Sequence, residues 1–127
     1  MHRAIIAAFF LWACGTAQAH ELTPTYPRFQ YSHLEGVKRV TLRIFNKRSD
    51  VQFYEIGVFN KEFEPVQFAT SYRVLNVPYL TTTIFDIYVR DADTADVMYI
   101  CTESKLKKTS SVRTVITSRI CSKIQKG

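Results

Sequence analysis

With 127 residues the chain has room for one domain, and its formal charge of +6 at pH 7 is unevenly spread. Residues 20–103 hold nine basic and eleven acidic side chains, a balance of −2, whereas residues 104–127 hold seven basic and no acidic ones, a balance of +7. A field that one-sided draws anions or acidic protein surfaces; nucleic acid is excluded as a partner, because the basic run lacks a helix or stacking motif and follows an export address.

That address is MHRAIIAAFFLWACGTAQAHE: Arg3 in a short leading region, an apolar stretch over residues 4–13, and Ala17-Gln18-Ala19 as a signal-peptidase site. The apolar run falls short of the roughly 18 residues that cross a bilayer, so no integral membrane segment is expected after processing. A lipoprotein-type box, Leu11-Trp12-Ala13-Cys14, is the alternative, against which the bulky Trp12 counts. Cleavage after Ala19 leaves a single domain, residues 20–127, in the periplasm or secreted. It also makes His20 the first residue. A free amine and an imidazole on one residue can chelate copper, and His33 would complete a three-nitrogen set; otherwise His20 is simply a histidine left on a flexible arm.

The mature chain then reads as strands. In residues 38–46, Val40, Leu42 and Ile44 share one face while Arg39, Thr41 and Arg43 take the other, the pattern of a strand with one wet side. Lys47-Arg48-Ser49-Asp50 supplies a turn, and residues 51–59 form a second strand in which Gly57 is a candidate bulge. Residues 66–74 predict one short strand or two pieces, and Pro78 limits any central strand nearby. Phe85, Ile87 and Val89 again alternate with Asp86, Tyr88 and Arg90. The acidic residues 91–96 lack the glycine, length and closing glutamate of a calcium loop and read as a solvated turn.

Two strands close the chain. Residues 97–102 put Met98 and Ile100 on one face and Val97, Tyr99 and Cys101 on the other. Residues 112–124 put Val112, Ile116, Ile120 and Ile124 on one face and Cys121 opposite, beside Arg119 and Lys123. If the two pair antiparallel around 106–111, Cys101 and Cys121 meet as one disulfide, which an oxidising compartment preserves. The strand count, about seven without helices or repeats, predicts an all-β immunoglobulin-like β-sandwich.

On the stretch Pro24-Thr25-Tyr26-Pro27-Arg28-Phe29, the strand Glu35-Gly36-Val37-Lys38-Arg39-Val40-Thr41-Leu42 with Asn46 at its end, and the final Ile116-Thr117-Ser118-Arg119-Ile120, the chain resembles the N-terminal immunoglobulin-like domain of periplasmic pilus-assembly chaperones. The resemblance implies a module that lends its last strand, with Val112, Ile116 and Ile120 facing an incomplete subunit of an envelope or fibre assembly. It further implies that Arg28 and Arg119 act as basic residues toward the subunit's terminal carboxylate. The family carries a second domain after that strand, whereas this sequence stops at Gly127, so a single-domain variant is expected. A structural component of an envelope assembly is the bland counterpart.

Catalysis finds no support, since neither His20 nor His33 stands near a nucleophile elbow or an HExxH-type motif. No cofactor is expected.

Overall fold

In the computed structural model the described residues are 20–105 and 117–126. They form eight strands: β1 (His20–Thr23), β2 (Gln30–Tyr31), β3 (Val37–Asn46), β4 (Phe53–Phe59), β5 (Val74–Asn76), β6 (Thr82–Arg90), β7 (Tyr99–Lys105) and β8 (Arg119–Lys123). One sheet is built on β3, which pairs with β6 along one side and with both β1 and β2 along the other. The second sheet runs β5-β4-β7-β8, all antiparallel. Two stacked antiparallel sheets make this an immunoglobulin-like β-sandwich.

Alternation is what makes β3 and β6 strands. Val40, Leu42 and Ile44 face Ile87, Phe85 and Thr83 in register, and the aliphatic members of that set are buried. From the opposite sheet Tyr54, Ile56, Val58 and Ile100 complete the core. Burying each such side chain is worth about 1.5–3 kcal/mol.

Several boundaries differ from the sequence expectation. His20 is not on a flexible arm: it starts β1, paired with Asn46, and is buried. Residues 91–96 form a 3₁₀ helix with no buried residue. Of the two expectations for residues 66–74 the interrupted one holds: isolated bridges at Pro65 and Ala69, then β5 from Val74. Val97 does not share a face with Tyr99 and Cys101; the Met98 N–H bonds the Phe59 carbonyl ahead of the regular ladder, and Val97 turns fully inward. The last strand is described only from Arg119 to Lys123, and residues 106–116 lie outside the described residues.

A buried asparagine ties the turns together. Asn46 donates from Nδ2 to the carbonyls of Val51 (2.6 Å) and Val77 (2.9 Å), and its Oδ1 accepts from the Tyr54 hydroxyl (2.6 Å) and the Arg48 N–H (2.8 Å). Every polar position of the amide is thereby used, which is what allows it to be fully buried. Burial pushes the Tyr54 phenol up to about 12, so it remains a donor at any physiological pH. Asn46→Leu takes the amide from three buried partners and from the half-buried Arg48 N–H, and is expected to destabilise the domain by about 2–4 kcal/mol, against about 1–2 kcal/mol for Tyr54→Phe, as read from urea unfolding midpoints.

Candidate functional site

β8 is the outer strand of its sheet, and the pleat divides its groups cleanly. Ile120, Ser122 and Ile124 turn toward the interior, while Arg119, Cys121 and Lys123 lie on the outer face. Backbone groups divide the same way. Ser118 and Ile124 exchange bonds with the β7 side, Ser104 N–H to Ser118 O at 2.9 Å and Ile124 N–H to Met98 O at 2.8 Å. The N–H and C=O groups of residues 119, 121, 123 and 125 therefore point away from β7.

Half of that outward row is occupied. After β1 the chain leaves the first sheet at Pro24 and runs beside β8, where Thr25 O accepts from Lys123 N–H (3.0 Å) and Pro27 O from Gln125 N–H (2.8 Å). Ser122 Oγ adds a bond to Pro24 O at 2.7 Å. Toward the start of β8 the cover ends. Among the described residues nothing hydrogen-bonds the outward N–H groups of Arg119 and Cys121.

The outer face beside this open stretch is polar and hollow. Arg119 pairs with Glu103 on β7 at 3.1 Å, and its guanidinium lies 5.6 Å from the centroid of the Phe59 ring. Lys105 pairs with Glu55 one row further along. Gly57 sits opposite Cys101 in a regular ladder, so it marks no bulge. The space above it is taken by the Phe59 ring, whose edge would lie 2.6 Å from a Cβ at this position, so a larger residue would turn that ring aside. A shallow hollow of about 280 Å³ results, bounded by Glu55, Gly57, Phe59, Cys101, Glu103 and Arg119. Cys101 and Cys121, opposite each other in register, are disulfide-bonded across β7 and β8 with a Cα separation of 4.0 Å, so the edge is stapled to its neighbour.

Of the residues expected to contact a partner, Val112 and Ile116 lie outside the described residues. Ile120 is half-buried and packs on the domain's own core. Arg28 and Arg119 are not brought together: Arg28 donates to Gln125 Oε1 at 3.0 Å, six residues or about 20 Å of extended chain from Arg119. The sequence reading missed residues 24–27 as the cover on β8. It also missed a buried polar row, Thr102 and Ser104 on β7 with Ser122 on β8, whose only signal was polar residues at inward-facing parity.

The copper set is not assembled. His20 lies opposite Asn46 at one end of β3, whereas His33 follows Tyr31, which is opposite Lys38. Eight strand residues, about 27 Å, separate those positions. His33 instead meets the edge of the Tyr88 ring, with centroids 6.2 Å apart. Both His20 nitrogens have protein partners, Nε2 with Thr102 Oγ1 at 2.8 Å and Nδ1 with Ser118 Oγ at 3.3 Å. Among the described residues no group of three or more His, Cys, Asp or Glu side chains is placed to hold a metal ion, and no helix is long and apolar enough to cross a membrane.

No protein-family model matches the chain, and no curated protein matches it. Its fold is similar to the crystal structure of the E. coli chaperone DraB, with a TM-score of 0.58 and 14% sequence identity over 84% of this chain and 53% of that one. At that identity the likeness carries architecture. The chain spans about half the length of the solved chaperone.

His20 also makes the start of the edge sensitive to pH. Burial, opposed by the Thr102 contact and reinforced by the Arg48 charge, lowers its pKa to about 4 from the usual 6.5. The unfolded chain therefore binds a proton that the folded one refuses between those values, and stability falls as pH drops through that window. The loss from this group is expected to reach at most about 3 kcal/mol at pH 4. Urea midpoints from pH 4 to 7.5 should show a shallower decline for His20→Gln than for the native chain; parallel curves would remove His20 as the cause.

Proposed function

We propose that this chain is an exported protein-binding module that engages a subunit of a cell-envelope or surface-fibre assembly by β-strand pairing along the open edge of β8. The observation that carries the reading is the division of that edge: residues 123 and 125 are capped by 25 and 27, whereas among the described residues nothing bonds the outward N–H groups of 119 and 121. An edge of this kind is a template for an added strand, and each hydrogen bond so gained is worth about 1 kcal/mol net. Leader residues 1–19 and the Cys101–Cys121 disulfide support a periplasmic or secreted location. The architecture shared with the DraB chaperone supports a protein partner.

Charge narrows the partner. With seven basic and no acidic residues in 104–127, the edge suits an acidic strand or a strand bearing a terminal carboxylate. Val112 and Ile116 belong to the proposal as aliphatic side chains offered to that partner, on their alternation in the sequence alone. Ile120 serves the domain's own core and anchors the strand from beneath.

The test separates backbone from side chain at one position. Because the Arg119 N–H points away from β7, Arg119→Pro removes an edge donor without breaking the ladder, as edge prolines do elsewhere. Partners captured from the periplasm of an expressing cell, identified and quantified by mass spectrometry, should fall about fivefold or more for Arg119→Pro with circular dichroism unchanged. Arg119→Ala should lose much less. Equal capture by all three chains would rule out pairing at this edge.

A further inference from the structure

The other sheet also ends in a strand that, among the described residues, is only partly covered. On β6 the residues bonded to β3 are 83, 85, 87 and 89, so residues 82, 84, 86 and 88 direct their backbone groups outward. Tyr88 is covered: Ala69 exchanges both bonds with it, each 2.9 Å. Thr70 Oγ1 reaches the Asp86 carbonyl at 2.8 Å. The strand that would continue the cover stops there, since residues 71–73 are exposed on the way to β5 in the opposite sheet. Among the described residues nothing hydrogen-bonds the outward N–H groups of Ile84 and Asp86 or the carbonyls of Thr82 and Ile84.

This edge is also weakly guarded. Strand edges are ordinarily protected by charged side chains, lysine above all, by proline or by a bulge; residues 82–86 have no lysine, proline or bulge and one charge, Asp86, whose Oδ1 accepts from the Thr41 hydroxyl. Ile84 is 59% exposed on it.

The choice of occupant follows from what stands opposite what. Antiparallel pairing of two copies about a twofold axis at Ile84 sets Ile84 against Ile84 and Thr82 against Asp86, so the one carboxylate in residues 82–86, which already accepts from Thr41 Oγ1, faces a further hydroxyl donor and no like charge. Applied to β8 about Cys121, the same operation sets Arg119 against Lys123, and like charges directly opposite are unfavourable. β6 matches a second copy of itself; β8 does not.

We infer that β6 is a self-pairing edge through which two copies of this chain join antiparallel at Ile84, extending the four-stranded sheet into an eight-stranded one. β1, on the far side of β3 from β6, is the strand that lies against β8. The dimer therefore leaves both β8 edges free and presents two partner sites.

The experiment is cysteine placement at the axis. Identical residues on a twofold between paired strands have Cβ atoms about 4.5–5.5 Å apart, close enough for a bridge with small adjustment. Purified Ile84→Cys protein should form a covalent dimer on non-reducing electrophoresis, linked through position 84 by peptide mass spectrometry. Tyr31→Cys, placed on β2 at a side chain 90% exposed, should remain monomeric under the same conditions. The native chain should sediment as a dimer at tens of micromolar, and Ile84→Lys should weaken self-association at least about tenfold with the fold intact. Sedimentation as a monomer with no preferential cross-linking at position 84 would overturn the inference, as would capture of a different protein on β6 in place of a second copy.

Discussion

A strand residue offers its N–H and C=O to one side only, and the path of residues 24–27 decides what β8 has left to offer. By leaving the first sheet after β1 and running beside β8, this segment consumes the outward groups of Lys123 and Gln125 and stops. Among the described residues, the portion of the edge left open is thus set by a connection nearly one hundred residues earlier in the chain. A longer segment would seal the sandwich; a shorter one would leave the full strand bare.

The remaining structure keeps that edge in place. The disulfide fixes β8 to β7 in register, His20 spans from β1 to both Thr102 and Ser118, and Ser104 bonds Ser118 through its backbone and its hydroxyl. These contacts order the strand before any partner arrives, and ordering in advance reduces the entropy lost on binding. Asn46 performs the corresponding task in the turns after β3 and β5, where its amide satisfies carbonyls that burial would otherwise strand.

The core strands were legible because they are long and alternate. Val40, Leu42 and Ile44, then Phe85, Ile87 and Val89, announce both the strand and its buried face, and the two cysteines fell opposite each other as antiparallel pairing required. β1 and β2 were not legible: four and two residues are too few for a period, and they are strands only because β3 lies beside them. Gly57 misled because its local signal, a glycine within a strand, is the same for a bulge and for space claimed by the Phe59 ring. The edges were hidden for a deeper reason. Whether Arg119 or Ile84 retains a free amide depends on which distant backbone stops beside it, and no side chain in the sequence records that.

Amide hydrogen exchange along β8 in the free protein tests the central claim most directly. The account predicts that Arg119 and Cys121 exchange at least about 100-fold faster than Ile120, Ser122 and Lys123, whose amides are bonded on one side or the other. Uniform protection across residues 119–123 would mean that the edge is already occupied, and pairing with a partner strand there would have to be abandoned.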